Sequence, residues 1–302
     1  MNTKIASVHK PGCMSIVAFV RFLLVALFVV SSFCISPADD QTHRARVGYC
    51  ATLAEIDAVK SAGFDYVELR TSEIAALSEA DNEKLAQKLK QLELPVPVTY
   101  LFIPADIKLT GPQANKDQQM DYVRKALDRV SKLGTSTVVL GSGPARRYPE
   151  GFSKAEAFRQ LVEFCKWLGP EARKRGITIA IEPLRKEESN IINNLAEGLQ
   201  LVKIVQDPNI QLNVDYYHLA MEREDPDMIL KAKDYVRHVH TANPQGRVFP
   251  LQWEEYDYGP FYEALRSIGY DKEISIEAST RDFQHEAPEA IALIRRALVA
   301  SR

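Results

Sequence analysis

The sequence predicts an α/β fold, a (β/α)8 TIM barrel that forms a single domain after an N-terminal signal segment. Strand-like and helix-like segments alternate eight times within about 250 residues, the usual size of such barrels. In addition, four strand-like segments of the second half carry aliphatic residues on one face and small or polar residues on the other. Each of the four ends in an acid or a histidine. Parallel strands show this pattern when helices cover one face and a site opens at their carboxyl ends.

The elements are predicted in order from Arg46. Helices are expected between the strands because apolar residues recur at helical spacing, as at Leu85, Leu89 and Leu92. A doubly wound open sheet is the alternative, but it normally has a glycine-rich turn after its first strand, and residues 46–52 contain one glycine. The predicted strands are 46–50, 65–70, 96–102, 136–142, 177–182, 210–215, 235–240 and 273–278.

The composition indicates a globular chain whose ligand is a small molecule. Hydrophobic residues make up 46% and charged residues 26% of the 302 residues, and the net charge is −2. This balance gives no basic surface of the kind that binds nucleic acid or an anionic membrane. The sequence shows no interdomain linker, so the barrel is predicted to span 46–302.

Residues 1–38 are predicted to be a signal peptide, and 39–45 a linker to the barrel. Basic residues precede an apolar run at 22–30, and residues 36–38, Ser-Pro-Ala, provide the small residues expected before a cleavage site. The expected location is therefore the periplasm or the cell exterior, with no stable membrane association after cleavage. The alternative is a retained membrane anchor at 16–35, but Arg21 interrupts that stretch.

Four residues with ligand-type side chains stand at the ends of consecutive predicted strands: Glu182, Asp215, His240 and Glu277. They are 33, 25 and 37 residues apart, each close to one strand–helix repeat. Neighbouring barrel strands end on one rim, so three carboxylates and one imidazole are expected to reach a single divalent ion. One acid at a strand end more often caps a helix or forms an ion pair, but four at matching depth predict a metal site. Mn²⁺ suits these donors best, and Mg²⁺, Co²⁺, Zn²⁺ or Fe²⁺ are alternatives.

Two other inward-facing residues have more than one interpretation. His238 shares a face with His240 but lies one layer deeper, which favours a hydrogen-bonded interior histidine over a metal ligand. Glu68 shares a face with Arg70. It is expected either to support the site or to form a buried ion pair with that arginine.

A Gly-Ser-Gly segment at 141–143 follows the fourth predicted strand and precedes Arg146 and Arg147. Backbone N–H groups of such a segment cradle a phosphate when a helix starts directly after it. Because no helix is predicted directly after residue 143, a plain strand-to-loop turn is favoured.

Four segments of the chain resemble a known family: AIEPL, NVDYYH, HVHTANPQGR and SIEAS. They are similar to the metal-binding strands of the xylose-isomerase-like TIM barrel superfamily, in particular the sugar phosphate isomerase/epimerase group that includes D-tagatose 3-epimerase. The likeness covers residues 46–300. It implies one divalent metal ion bound by the four strand-end residues Glu182, Asp215, His240 and Glu277.

The resemblance also implies two substrate-binding residues. His218 and Arg247 match positions that hold substrate oxygens in those epimerases. The segment from His240 to Arg247 is one residue longer here, and residues 248–253 replace the glycine-rich stretch that often follows the epimerase arginine.

The implied enzyme is a divalent-metal-dependent isomerase/epimerase with a small-molecule sugar as its substrate. The carbonyl and the adjacent hydroxyl oxygen of a ketose or related keto-sugar would lie at the metal, an enediolate would form, and a carboxylate would remove the carbon-bound proton. Glu182 and Glu277 lie on the outermost strands of the ligand set. They are therefore assigned a dual role as metal ligand and acid/base.

Other functions remain as alternatives at this stage. A keto-inositol-type dehydratase would use the same metal and base to eliminate water, and a non-catalytic exported sugar-binding barrel would bind without turnover. Apurinic-site endonucleases of the same superfamily need additional histidines from the second and third strands, and no histidine lies between His43 and His218. With the acidic balance, this argues against nucleic acid as a partner. Assembly as a homo-oligomer is compatible with the sequence.

Overall fold

The computed structural model describes residues 45–299, so the predicted signal peptide and nearly all of the predicted linker lie outside the described residues. Within 45–299, eight parallel strands close into a barrel in chain order, and the first strand pairs with the last. This confirms the predicted (β/α)8 TIM barrel. No helix in this range is both long enough and apolar enough to span a membrane.

The strands are β1 (Arg46–Ala51), β2 (Tyr66–Arg70), β3 (Val98–Tyr100), β4 (Thr137–Leu140), β5 (Thr178–Ile181), β6 (Ile210–Asp215), β7 (Val236–Thr241) and β8 (Glu273–Ile276). The α-helices are α1 (Ile56–Ser61), α2 (Thr71–Ala76), α3 (Glu79–Gln91), α4 (Lys116–Ser131), α5 (Gly143–Arg146), α6 (Lys154–Arg173), α7 (Leu195–Val205), α8 (Tyr216–Met221), α9 (Met228–Ala232), α10 (Gly259–Ser267) and α11 (Phe283–Val299). Single 3-10 turns occur at Leu53–Glu55, Lys233–Tyr235 and Trp253–Glu255.

The apolar residues divide into two clusters. The larger cluster fills the space between the barrel and its helices and includes the alternating isoleucines of the fifth strand segment, Ile177, Ile179 and Ile181. The smaller cluster fills the barrel interior and includes Tyr66. A Cβ atom at Gly48 would lie 2.2 Å from the Tyr66 ring, so β1 requires glycine where that ring crosses the interior.

β3 is shorter than the predicted strand at 96–102. Pro97 has no N–H group to donate to a neighbouring strand, and β3 begins directly after it. Leu101 has a left-handed backbone with φ of 49°, and β3 ends directly before it. The start of β3 therefore follows from a missing backbone donor and its end from backbone conformation, and the pattern of apolar residues records neither.

The loop after β4 also differs from the prediction. Ser142 has a left-handed backbone with φ of 43°, and α5 begins at Gly143, so the expectation that no helix follows directly is wrong. Arg146 is nevertheless turned inward and fully buried. Its guanidinium donates to the carbonyl oxygens of Leu140 and Ile192 at 3.3 and 3.4 Å. Arg146 therefore links the end of β4 to the loop after β5 through these two hydrogen bonds.

The strand register places the chemistry-bearing residues on one rim. Asp215 is paired with His240, and His240 is paired with Ser275 of β8. Glu182 and Glu277 directly follow the last residues of β5 and β8. Since all eight strands are parallel, these four side chains meet at the carboxyl end of the barrel, where active sites of this fold lie.

Candidate metal centre and substrate pocket

The four predicted ligand residues come together in one cluster. One donor atom from each of Glu182, Asp215, His240 and Glu277 lies within 4.8 Å of the others. His240 Nδ1 is 3.0 Å from an oxygen of Glu182 and 3.0 Å from an oxygen of Glu277. Three of the residues are buried and Glu277 is partly exposed, which leaves an approach from the pocket. Three carboxylates and one imidazole at these distances fit a divalent cation.

The charges of the cluster also favour a cation. Burial raises the pKa of Asp215 to about 7; Arg247 counteracts this effect, and the carboxylates of Glu182 and Glu277 add to it. Asp215 Oδ1 accepts a hydrogen bond from the backbone N–H of Tyr217 at 2.8 Å, and Oδ2 lies 3.4 Å from the Arg247 guanidinium. A cation among these carboxylates would offset their mutual repulsion and the loss of water.

The His240 ring is oriented by a contact of its Nε2 atom, the ring nitrogen that does not face the carboxylates of Glu182 and Glu277. Nε2 lies 3.0 Å from Glu68 Oε1, while Glu68 Oε2 lies 2.9 Å from His238 Nε2. Burial would raise the pKa of Glu68, but the two imidazoles outweigh this effect and hold the pKa well below its usual range. With Nε2 donating to Glu68, Nδ1 faces the cluster as a ligand atom.

These contacts decide both open interpretations from the sequence. His238 is a fully buried, hydrogen-bonded interior histidine. Arg70 pairs with Glu73 at 3.2 Å rather than with Glu68. Glu68 therefore supports the donor cluster through His240, and the alternative of a buried Glu68–Arg70 pair is wrong.

Two residues to which the sequence analysis gave no role beside Glu182 shape the position of its carboxylate. Asn213 Nδ2 donates to Glu182 Oε1 at 2.8 Å. A Cβ atom at Gly141 would lie 2.3 Å from Glu182 Oε2, so a glycine leaves room for the carboxylate. Asn213 lies two residues before Asp215 on the same strand face, and this alternation was the pattern that could have identified it. The role of Gly141 depends on contact between neighbouring strands, which the sequence does not record.

Arg247 reaches the cluster from the loop after β7. Its guanidinium lies 2.8 Å from an oxygen of Glu277, 3.4 Å from an oxygen of Asp215 and 4.6 Å from the centre of the Tyr217 ring. Gly246 and Arg247 both have left-handed backbones, with φ of 88° and 50°, and this turn lets the longer loop bring the arginine to the site. Burial would raise the pKa of Glu277, but Arg247 and His240 outweigh it and lower the pKa to about 2.

His218 lies in α8, three residues after Asp215. Its Nδ1 accepts a hydrogen bond from the backbone N–H of Arg185 at 3.3 Å, so the proton of the neutral ring is on Nε2. Burial lowers the pKa of His218 to about 3, and the Arg247 charge adds to this effect. Nε2 is buried and has no hydrogen-bond partner among residues 45–299. The ring is thus a neutral donor that lines the cavity described below.

Glu188, in the loop after β5, is a pocket residue that sequence reasoning missed. It pairs with Arg185 at 2.8 Å and lies 3.5 Å from Arg247. A loop has no periodicity that assigns its side chains to a face. The sequence pattern therefore gave no indication that this residue lies at the site.

A cavity of about 690 Å³ opens beside Glu182 and Glu277 of the donor cluster. The predicted catalytic residues Glu182 and Glu277 and the predicted substrate-binding residues His218 and Arg247 all line it. Its remaining walls come from Ser72 of α2 and from the segments that follow β3, β4 and β5, including the start of α5. Two residues of the donor cluster and the two predicted substrate-binding residues thus share one cavity.

Comparisons with known proteins define the class of this chain. A family model described as the xylose isomerase-like TIM barrel matches residues 56–297, so the chain belongs to that family. The D-psicose 3-epimerase of Agrobacterium fabrum is 26% identical to it over 238 residues, which cover 74% of this chain and 77% of that relative. The L-ribulose 3-epimerase of Methylomonas sp. is 29% identical over 227 residues, which cover 72% of this chain and 74% of that relative.

A solved structure agrees with this assignment at the level of the fold. The crystal structure of a D-psicose 3-epimerase in the presence of D-fructose matches this chain with a TM-score of 0.76 at 21% identity. The match covers 85% of this chain and 100% of that one. The family model thus establishes the family, and the structural match agrees with the barrel fold.

Proposed function

We propose that this chain is a divalent-metal-dependent sugar isomerase/epimerase that acts on a ketose or related keto-sugar through an enediolate intermediate. One observation carries the proposal: Glu182 and Glu277 each approach His240 Nδ1 to 3.0 Å, and both line the substrate cavity. Two carboxylates in such positions suit removal of a proton on one side of a carbon and its return on the other. The names of the two relatives, a D-psicose 3-epimerase and an L-ribulose 3-epimerase, support sugar epimerisation.

Each pocket residue has a defined part in this proposal. A divalent cation held by the donor cluster would supply positive charge that stabilises negative charge on the substrate oxygens. Glu277, kept ionised by Arg247, removes the proton from the carbon next to the carbonyl, and Glu182 returns a proton to the opposite side. The two glutamates exchange roles in the reverse direction. His218 Nε2–H and the Arg247 guanidinium hold substrate oxygens and fix the sugar in place.

We propose Mn²⁺ as the bound ion. Carboxylate oxygens dominate the donor set, and Mn²⁺ accepts such a set together with one imidazole. Mg²⁺, Co²⁺ and Zn²⁺ are the competing ions. Elemental analysis of the purified protein, followed by reconstitution of metal-stripped protein with each ion in turn, identifies the one that restores activity.

Exchange of substrate hydrogen with solvent tests the reaction. We expect the metal-loaded protein in D₂O to replace a C–H hydrogen next to the carbonyl of its ketose, and the replacement is followed by NMR. A dehydratase acting on a keto-inositol would instead eliminate water and accumulate an unsaturated product. A binding protein would shift ligand resonances without exchange, and that result would contradict the proposed catalysis.

We also propose that the protein is exported. The basic and apolar leader before Ser36-Pro37-Ala38 supports cleavage after Ala38. Sequencing of the mature N-terminus from the native host should give Asp39 as the first residue. A soluble cytoplasmic protein that retains Met1 would contradict export.

A further inference from the structure

The Arg247 guanidinium lies among three carboxylates that attract it. Oxygens of Glu277, Asp215 and Glu188 are 2.8, 3.4 and 3.5 Å away. Its hydrogen bonds to Asp215 Oδ2 and to the Glu277 carbonyl oxygen are long, at 3.4 and 3.3 Å, and Glu277 Oε2 has no hydrogen-bond partner among residues 45–299. Coulomb attraction has no preferred direction, so these contacts leave the plane of the guanidinium loosely defined.

The Tyr217 ring provides the contact that limits this freedom. The guanidinium carbon of Arg247 lies over the ring, 4.6 Å from its centre, and an aromatic face attracts a cation within about 6 Å. Because a guanidinium is flat, an aromatic face restricts its position more than a single charged oxygen does. Tyr217 is buried and is not among the residues that line the cavity. Its ring therefore acts on the site through its neighbours.

Tyr217 is itself fixed at the start of α8. Its backbone N–H donates to Asp215 Oδ1 at 2.8 Å, which ties the residue to the end of β6. Its ring centre lies 5.2 Å from that of His218, with the two ring planes at 64°. The one ring thus contacts both predicted substrate-binding residues, His218 from its edge and Arg247 from its face.

Arg185 completes the surroundings of the ring. Its guanidinium carbon is 5.2 Å from the centre of the Tyr217 ring. Arg185 also pairs with Glu188 at 2.8 Å, which is closer than the 3.5 Å between Glu188 and Arg247. Glu188 is therefore engaged mainly by Arg185, and Arg247 stays nearer to Glu277.

We propose that Tyr217 is a positioning residue that keeps Arg247 where it binds the substrate. The inference rests on the proposed function and adds a residue to it. The left-handed backbone at Gly246 and Arg247 brings the arginine to the site, and the Tyr217 ring fixes the guanidinium there. The Tyr217 side chain neither binds the substrate nor transfers a proton.

Two substitutions of Tyr217 test the contact through kinetics. Metal-loaded protein is incubated in D₂O with D-psicose and with L-ribulose, and KM and kcat for C–H exchange are measured by NMR. Tyr217→Leu removes the aromatic face, so KM should rise about tenfold while kcat changes less, because the lost contact serves ground state and transition state alike. Tyr217→Phe keeps the face and should keep KM within about twofold of the wild type.

Tyr216→Leu is the matched control for loss of a buried tyrosine. Tyr216 is the neighbouring residue of α8, and its ring packs on Tyr258 and Phe261 at 5.4 and 4.7 Å. This variant should lower Tm and leave KM near that of the wild type. Metal content should stay normal in Tyr217→Leu, because the backbone N–H that donates to Asp215 is retained. If Tyr217→Leu does not fold, Tyr217→Met, whose flexible side chain fills irregular gaps, takes its place.

Crystal structures of the metal-loaded wild type and Tyr217→Leu provide a readout that does not depend on activity. We expect Arg247 beside Glu277 in the wild type and displaced from it, or spread over several positions, in the variant. An Arg247 side chain that keeps its place without the ring would overturn the inference and leave the proposed function intact. An equal rise of KM in Tyr217→Phe or in Tyr216→Leu would also overturn it. Absence of exchange on every ketose in the wild type would instead overturn the proposed function, and the two structures would still decide whether Tyr217 positions Arg247.

Discussion

Two buried histidines of the site receive opposite charge states from their neighbours. Burial lowers the pKa of both rings, but Glu68 and other groups beside His240 outweigh it and raise that pKa well above its usual value. At His218, the Arg247 charge acts in the same direction as burial, and the pKa is about 3. His240 must therefore release a proton from Nδ1 when a metal binds, whereas His218 remains a neutral donor.

Replacing Glu68 with Gln should weaken metal binding although Glu68 is not a ligand. The amide oxygen of the introduced glutamine can still accept from one imidazole, but the charge that fixes His240 from behind is lost. Such supporting groups commonly change metal affinity about 10- to 100-fold. Titration of metal-stripped protein against a competing chelator measures the change.

Glu83→Gln provides the control for that experiment, because Glu83 is exposed on α3. Its metal affinity should equal that of the wild type. An unchanged affinity in a folded Glu68→Gln variant would show that the Glu68–His240 contact does not position the ligand.

Replacing Glu277 with Gln should separate catalysis from metal binding. The amide keeps the shape and one coordinating oxygen of the side chain but cannot accept the substrate proton. Turnover should fall about 10² to 10⁴-fold, the usual contribution of a general base, and metal content should fall modestly because three ligands remain.

His218→Ala is the contrasting variant. It should raise KM and slow turnover while metal content stays near that of the wild type, because His218 approaches Asp215 without belonging to the donor cluster. Wild-type exchange in Glu277→Gln would exclude the mechanism with two carboxylates.

At the scale of elements, one carboxylate joins the start of α7 to the loop after α8. Glu224 Oε2 accepts a hydrogen bond from the backbone N–H of Leu195 at 2.8 Å. Burial raises the pKa of Glu224 to about 7, and this hydrogen bond only partly opposes the shift. The folded protein therefore binds the proton of Glu224 more tightly than the unfolded chain does.

This shift predicts a pH-dependent difference between the wild type and Glu224→Gln. Because the folded pKa is raised, the contribution of Glu224 to stability is largest below about pH 4.5 and is lost as the pH rises to about 7. The free energy of unfolding of Glu224→Gln, relative to the wild type, should therefore increase between pH 5 and pH 8. Urea unfolding at the two pH values measures it, and a constant difference would contradict the assigned pKa.

The sequence predicted the elements well where alternation was strong. Ile177, Ile179 and Ile181 alternate with Thr178, Ala180 and Glu182, and this pattern located both the fifth strand and the residue at its end. The limits of β3 and the start of α5 were missed. The end of β3 and the start of α5 depend on the left-handed backbones of Leu101 and Ser142, and neither is the glycine that usually marks such a conformation.

At the scale of the whole molecule, the donor cluster follows from closure of the barrel. Once β5 to β8 are consecutive and parallel, their terminal residues meet on one rim, so the spacing of the four ligands was sufficient to predict their proximity. Contacts that cross the barrel were not predictable in this way. Glu68 of β2 contacts His240 of β7 across the barrel. From the sequence alone, Glu68 could either support the site or pair with Arg70. Glu188 enters from a loop, where no alternation assigns a face.

The same closure predicts that a metal ion stabilises the entire barrel. The ion would bind residues from four neighbouring strands that come together only in the folded chain. At a free metal concentration of 100 times Kd, such binding adds about 2.7 kcal/mol to the free energy of unfolding. For a domain of this size, a gain of that order raises Tm by about 5–10 °C. Asp215→Ala should lose most of the shift, so each protein is melted with Mn²⁺ and with chelator and the two differences are compared. An equal Mn²⁺-dependent shift in Asp215→Ala would show that the stabilising ion binds elsewhere.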